Sequence, residues 1–191
     1  MLIAFNKPYG VLSQFNANPG DEHHRTLKEF DFPPKVLPLG RLDMDSEGLL
    51  LFTDEKALEN RLLHPKFQHR RRYLVLVEGQ PTEAAMTELR SGKLVVKGHR
   101  CLPCRAKVLK QAPDLPERDP PVRIRQSIID TWVRLELREG KNRQVRRMTA
   151  AVGYPCLRLL REGIGAFPLG DLPVGSWREL SEEERAAVFA R

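Results

Sequence analysis

The residue types best suited to chemistry lie together in the stretch Gly40-Arg41-Leu42-Asp43-Met44-Asp45-Ser46-Glu47-Gly48, which runs directly into Leu49-Leu50-Leu51-Phe52. Glycine at both ends permits tight turns and close approach of a ligand to the backbone. The apolar run predicts an interior strand or a short core helix. A carboxylate that stays ionised beside such an element can act as a nucleophile or stabilise a developing positive charge. Asp43 and Asp45 are the two candidates.

An ionised carboxylate beside a core requires a cation or hydrogen-bond donors, because burial otherwise favours its protonated form. The chain is rich in cations, with 32 Lys and Arg against 25 Asp and Glu and a net charge of +7. The arginines occur in clusters with few acidic neighbours, which favours a polyphosphate partner over a solvated, ion-paired surface. The clusters are Arg70-Arg71-Arg72, Arg123 with Arg125, Lys141 with Arg143, Arg146 and Arg147, and Arg158 with Arg161.

Length and composition narrow the class of protein. The 191 residues suffice for one catalytic domain, residues 1–191, which we expect to consist of two half-domains sharing one sheet. No apolar run approaches the ~20 residues that cross a bilayer, and the N-terminus lacks the apolar region of a signal peptide. Three cysteines, an uneven number, indicate a reducing compartment. We therefore predict a cytoplasmic protein with no membrane partner.

The spacing of Cys101 and Cys104, with His99 close by, allows a zinc site as an alternative interpretation. A structural zinc site usually has a second pair of ligands. A zinc-dependent nucleobase deaminase carries a His-x-Glu motif, whereas His99 is followed by Arg100 and Cys101. We therefore predict two thiols in a strand or turn and no metal.

Periodicity predicts more strands than helices, joined by connections of uneven length, which indicates an α+β fold. The segment 16–25 is predicted to be a polar loop, and the proline-rich segment 111–125 an exposed excursion within one domain. Predicted strands cover residues 2–6, a short strand from Val11, 36–39 leading into the Asp43 motif, 73–77, 94–96, 106–109, 132–138 and 157–160. Predicted helices follow the N-cap residues Thr26, Asp54, Thr82, Asn142 and Ser181.

Four separated motifs and the opening Ala4-Phe5-Asn6-Lys7-Pro8 resemble the pseudouridine synthases of the RsuA-like branch over nearly the whole chain. The motifs are Gly40-Arg41-Leu42-Asp43 with Ser46 to Leu51, Arg72-Tyr73-Leu74-Val75, Glu139 to Met148, and Leu172-Pro173-x-Gly175-x-Trp177-Arg178-x-Leu180. The resemblance implies the pseudouridine synthase fold, a mainly antiparallel, mixed central sheet flanked by helices, with an active-site cleft across the sheet. It also implies isomerisation of a ribosomal RNA uridine without a cofactor.

The resemblance carries catalytic roles over to three residues. Asp43 matches the family's aspartate and acts at C1′ of the target uridine, either as a nucleophile or by assisting elimination to a glycal. Tyr73 matches the tyrosine that stacks on the base and helps to move the C5 proton. Arg146 is the candidate ion-pair partner of Asp43. Asp45 falls where the family pattern varies, so we interpret it as a turn residue.

The same resemblance implies a substrate-binding set and a partner. Arg143 and Arg147 are assigned to phosphates, and Leu160 to the apolar wall behind the base. The full substrate-binding set is Arg41, Arg71, Arg72, Lys141, Asn142, Arg143, Gln144, Arg147 and Leu160. We expect the partner to be large-subunit (23S) ribosomal RNA, the protein to be a monomer, and no S4 domain to precede the catalytic domain. The alternative is a non-catalytic RNA-binding or ribosome-assembly protein with the same fold.

Overall fold

The structure, a computed structural model, describes residues 1–20, 22–123, 125 and 127–190. The predicted polar loop and the predicted excursion each include a residue outside this description, Asp21 and Ile124 respectively. The chain divides into two compact units. The first unit comprises Met1–His69 and Leu160–Arg191, and the second comprises Arg70–Leu159.

The described residues form eleven strands, four α-helices and two short 3-10 helices, which confirms the α+β class. The strands are β1 Leu2–Lys7, β2 Leu37–Pro38, β3 Glu47–Thr53, β4 Arg71–Val77, β5 Val95–Val96, β6 His99–Arg100, β7 Arg105–Val108, β8 Thr131–Leu137, β9 Cys156–Ile164, β10 Phe167–Pro168 and β11 Trp177–Glu179. The α-helices are α1 Lys56–Leu63, α2 Glu83–Arg90, α3 Gln144–Ala151 and α4 Glu182–Phe189. The 3-10 helices are Leu27–Phe30 and Pro65–Phe67.

The sheet of the first unit is mixed, with strand order β11-β1-β3-β9. β1 pairs antiparallel with both β11 and β3, whereas β3 and β9 are parallel. Every residue of β1 and β3 is buried, as expected for central strands covered on both faces. Phe5, Leu50 and Phe52 form the core with the aromatic rings of Phe30 and Phe32. The apolar run after Gly48 is therefore a central strand.

In the second unit β4 lies between β9 and β8, and β7 pairs with the other side of β8. The alternation predicted for β8 is confirmed, because Val133, Leu135 and Leu137 are buried while the residues between them are half-buried. The buried face packs with side chains of α2 and α3 in one hydrophobic cluster. β5 and β6 form a separate two-stranded hairpin.

Local capping signals confirm three predicted helix starts. Thr26 and Ser181 each form a capping box, and the side chain of Thr82 accepts a hydrogen bond from the backbone of Ala85. Two other predicted caps are wrong. Glu55 rather than Asp54 precedes α1, and Arg143, with a left-handed φ of 52°, precedes α3 instead of Asn142.

One further prediction is corrected and one is confirmed. The predicted strand from Val11 is reduced to a single bridge with Arg25. The excursion is exposed over most of its described length, but it is anchored, since Arg158 donates a hydrogen bond to the carbonyl of Pro116 at 3.0 Å. Among the described residues, no helix is long and apolar enough to span a membrane.

Candidate active site

The loop that carries Asp43 is held against residues 7–13 by a set of short hydrogen bonds. The Ser13 hydroxyl donates to the carbonyl of Leu42 at 2.6 Å and accepts from its amide at 3.1 Å. The amide of Gly10 donates to the carbonyl of Met44 at 2.9 Å, and the amide of Ser46 donates to that of Asp43 at 3.0 Å. Asp43 itself is half-buried. The loop therefore fixes the backbone on both sides of the carboxylate.

A fully buried lysine, Lys7, lies under the same loop. Its ammonium group donates to the carbonyls of Val11 at 2.7 Å and Pro8 at 2.8 Å, and more weakly to that of Met44 at 3.5 Å. Burial lowers the pKa of Lys7 to about 7, although the nearby carboxylates of Glu47, Asp45 and Asp43 oppose this shift. Lys7 had no predicted role, and its only signal in the sequence was its place in the Asn6-Lys7-Pro8 motif.

Gly48 marks a close backbone approach where β3 meets β9. Its φ is +97°, and a Cβ at this position would lie 2.5 Å from the carbonyl oxygen of Arg161, so only glycine fits. Arg161 is buried and donates to the carbonyl of Leu49 at 2.7 Å. Leu160, predicted to form the wall behind the base, is buried in β9 opposite Glu47. The predicted substrate-binding residue Arg41 is exposed at the start of the loop.

Tyr73 lies in β4 of the second unit, opposite Leu135 of β8. It is 7% exposed and belongs to the hydrophobic cluster of that unit. This environment suits a core residue as well as a base-stacking one, so its catalytic role stays a prediction. Its neighbours Arg71 and Arg72 are half-buried, and Arg72 lies opposite Glu136.

Helix α3 carries the candidate arginines on its polar side. Arg146 is half-buried and donates to the carbonyl of Cys156 at 3.4 Å. Arg147 donates to the Asn142 side chain at 2.6 Å, and its backbone amide bonds the carbonyl of Arg143 one turn earlier. Lys141 is exposed. Asn142 therefore binds an arginine instead of capping the helix.

The entry to α3 is built around Glu139, which sequence analysis quoted only within a motif. One carboxylate oxygen accepts hydrogen bonds from the Leu102 amide at 2.8 Å and the Gln144 side chain at 2.5 Å, and the other lies 2.8 Å from Nε2 of His99. Gln144, 3% exposed, in turn accepts from the Lys141 amide. Burial would raise the pKa of Glu139, but these hydrogen bonds outweigh it and hold the pKa below its ordinary value.

The cysteines predicted to be ordinary thiols are free, and Cys101 is buried. Burial raises the pKa of Cys104 to about 11, and its thiol donates to the carbonyl of Leu89. His99 faces Glu139. Among the described residues, no group of three metal-ligating side chains occurs.

A cavity of about 410 Å³ in the second unit lies away from these residues. Gln80, Val108, Lys110, Ile129 and Trp132 contribute to its lining, and none of the predicted site residues does. The predicted site residues lie instead on the loop of Asp43 in the first unit and, in the second unit, mainly on the polar side of α3.

Each unit thus contains part of the predicted set of catalytic and substrate-binding residues. Arg41, Asp43 and Leu160 belong to the first unit, and Tyr73, Arg146 and the remaining predicted residues belong to the second. The ion pair of Asp43 with Arg146 stays a prediction.

Comparison with known proteins decides the family. A family model described as RNA pseudouridylate synthase matches residues 1–151. The chain belongs to the RNA pseudouridylate synthase family. It is 49% identical over 191 residues, covering 100% of both chains, to the ribosomal large subunit pseudouridine synthase E of Xanthomonas campestris pv. campestris. It is 46% identical to the enzyme of the same name from Vibrio vulnificus, over 94% of this chain and 75% of that one.

A solved structure supports the same assignment. A crystal structure of a pseudouridylate synthase is similar with a TM-score of 0.79 and 27% identity, covering 98% of this chain and 73% of the other. The pseudouridine synthase fold expected from the motifs is thereby confirmed. As a member of this family, the protein is an RNA pseudouridine synthase, an isomerase.

Proposed function

We propose that this protein converts a specific uridine of large-subunit ribosomal RNA to pseudouridine, with Asp43 acting at C1′ of that nucleotide. The observation that carries the proposal is the 49% identity over the full length of a ribosomal large subunit pseudouridine synthase. We further propose that it acts as a monomer on 23S RNA in the cytoplasm.

The chemistry assigns separate tasks to the three catalytic residues. Cleavage of the N1–C1′ bond builds positive charge on the ribose, which an ionised Asp43 stabilises or captures as an ester. The uracil leaves as its N1 anion, rotates, and bonds through C5 to C1′. The proton on C5 is then removed and N1 is protonated, with Tyr73 stacked on the base and placed to help move the C5 proton, so that product and substrate are isomers. Arg146 keeps Asp43 charged by pairing with it. The elimination route to a glycal uses the same residues.

The target uridine must leave its stack to reach Asp43, which costs a few kcal/mol. Phosphate contacts from arginines on and before α3, among them Arg143 and Arg147, offset this cost. The exposed Arg41 lies at the start of the Asp43 loop and can add a further phosphate contact.

Replacing Asp43 with Asn tests the proposal, and Asp45→Asn is the matched control two residues along the same loop. We expect Asp43→Asn to abolish pseudouridine formation, a loss of at least about 10³-fold, because an amide cannot supply the negative charge. Its RNA affinity should stay close to wild type, and Asp45→Asn should keep most of the activity. Carbodiimide labelling with primer extension detects the product. Pseudouridine made by Asp43→Asn would refute the role of Asp43.

A further inference from the structure

One segment of the second unit accounts for the net positive charge of the whole chain. Residues 90–110, here called the basic segment, contain seven of the 32 Lys and Arg residues and no Asp or Glu. The rest of the chain then holds 25 Lys and Arg against 25 Asp and Glu. The basic segment includes the end of α2, the β5–β6 hairpin and the edge strand β7. Its residues have no role in the proposed chemistry.

Most of this charge is not neutralised locally. Arg90 pairs with Glu83 and Arg105 with Glu136. The other five cations make no ion pair with any residue that the structure describes, and all five are exposed. These are Lys93, Lys97, Arg100, Lys107 and Lys110.

The hairpin presents its cations on one side. Leu94 and Val96 are buried in the core of the unit, so the alternate positions Lys93, Val95 and Lys97 face solvent. Lys97, at the tip, has a left-handed φ of 48°. Lys93 and Lys97 lie four residues apart, one on each side of β5, so their ammonium groups can engage separate phosphates.

The scaffold beneath these cations is closely packed and hydrogen-bonded. Arg90 donates to the carbonyl of Ala106 at 2.8 Å, and Arg100 donates to that of Gly92 at 2.9 Å. Gly92 packs on the Pro103 ring so closely that a Cβ there would lie 2.6 Å from Cγ. The charges are therefore displayed by a packed structure, which lowers the entropy lost on binding.

We propose that the basic segment docks the sugar–phosphate backbone of ribosomal RNA outside the target uridine. The proposal rests on the proposed function and extends it with a contact surface. Exposed lysines act as point charges that bind phosphates without reading sequence. Recognition of the target uridine is left to the loop of Asp43 and to α3.

The test compares two triple variants with the same loss of charge. Lys93→Gln, Lys97→Gln and Lys107→Gln are combined in one protein, and three exposed lysines of the first unit are changed in the control, Lys28→Gln, Lys56→Gln and Lys66→Gln. Deproteinised large-subunit ribosomal RNA is the probe. Dissociation constants are measured at several salt concentrations, and kcat and KM for pseudouridine formation are measured on the same RNA. Thermal unfolding checks that both variants are folded. If the basic-segment triple variant is not folded, the single variant Lys97→Gln is tested in its place.

We expect the basic-segment variant to bind about 10-fold or more weakly and to lose about 2 from the slope of log K against log salt, since each lost phosphate contact removes roughly 0.7–0.9. Its kcat at saturating RNA should equal that of the wild type, and the control should bind within about twofold of the wild type. Equal losses in both variants, or none in the basic-segment variant, would overturn the proposal. A wild-type protein that binds RNA but makes no pseudouridine would refute the proposed function alone.

Discussion

At the scale of single residues, the chemistry of the site depends on how a carboxylate stays charged beside a core. The residue predicted to keep Asp43 charged is Arg146, which belongs to the second unit. The first unit also contains a cation near Asp43, because Lys7 is buried under its loop and bound by backbone carbonyls. A lysine at the end of a strand, next to the polar Asn6, gives no periodic signal, so its burial could not be predicted from the sequence.

The lowered pKa of Lys7 predicts how stability depends on pH. In the folded protein this pKa is about 7, against 10.5 for an ordinary lysine. Between these values the unfolded chain binds a proton that the folded chain does not, so the free energy of unfolding rises with pH, by up to about 1.4 kcal/mol per pH unit. Lys7→Met should remove this slope, while the exposed Lys56→Met keeps it. Urea unfolding from pH 7 to 9.5 measures both, and parallel wild-type and Lys7→Met curves would contradict the assignment.

At the scale of elements, the predictions that held were those set by local signals. The hydroxyls of Thr26, Thr82 and Ser181 bind amides within three residues, so the sequence alone contains both partners. The caps predicted at Asp54 and Asn142 failed, and both side chains bind other partners. Asp54 accepts from the terminal amine of Met1 at 2.6 Å, and Asn142 accepts from Arg147 at 2.6 Å. Periodicity cannot reveal such competition.

The sequence also did not show which strands pair with each other in the sheet. The parallel contact of β3 with β9 joins Glu47 to Leu160, and nothing in either strand identifies the other. The motif order nevertheless led to the correct family, and it placed Asp43 in a loop at the start of a central strand, as found. The network around Glu139 was missed, since its partners Leu102 and His99 lie about 40 residues away along the chain.

This network predicts that Glu139 positions the start of α3. Glu139→Ala leaves the Leu102 amide and the buried Gln144 side chain without an acceptor, which should cost about 1–3 kcal/mol of stability. It should also lower kcat, because the arginines of α3 would be displaced. Glu139→Gln keeps an oxygen for both donors and can donate to a neutral His99, so it should retain most of the stability and activity. Urea unfolding and steady-state assays compare the two variants. Equal losses of stability and kcat in both variants would show that Glu139 does not act through its hydrogen bonds.

At the scale of the whole molecule, the chain builds two cores in different ways. The core of the second unit comes from one continuous stretch, Arg70–Leu159, whereas the first unit is assembled from both ends of the chain. β11 reaches back to pair with β1, and Arg185 of α4 binds Glu55 through two hydrogen bonds of 2.7 and 3.0 Å. Hydrophobic periodicity predicted most of the strands that make these cores. It could not show that strands about 175 residues apart belong to the same core.

Two matched substitutions test whether these cores unfold independently. Phe52 and Leu135 are both fully buried, one in each core, and replacing either with Ala should cost roughly 2–5 kcal/mol because each leaves a cavity. Since local opening follows local stability, Phe52→Ala should first lower amide-exchange protection in β1 and β3, and Leu135→Ala in β4 and β8. Hydrogen exchange followed by mass spectrometry resolves these strands. If either substitution lowered amide-exchange protection equally in all four strands, the two units would unfold as one cooperative structure. The two units would then not differ in local stability.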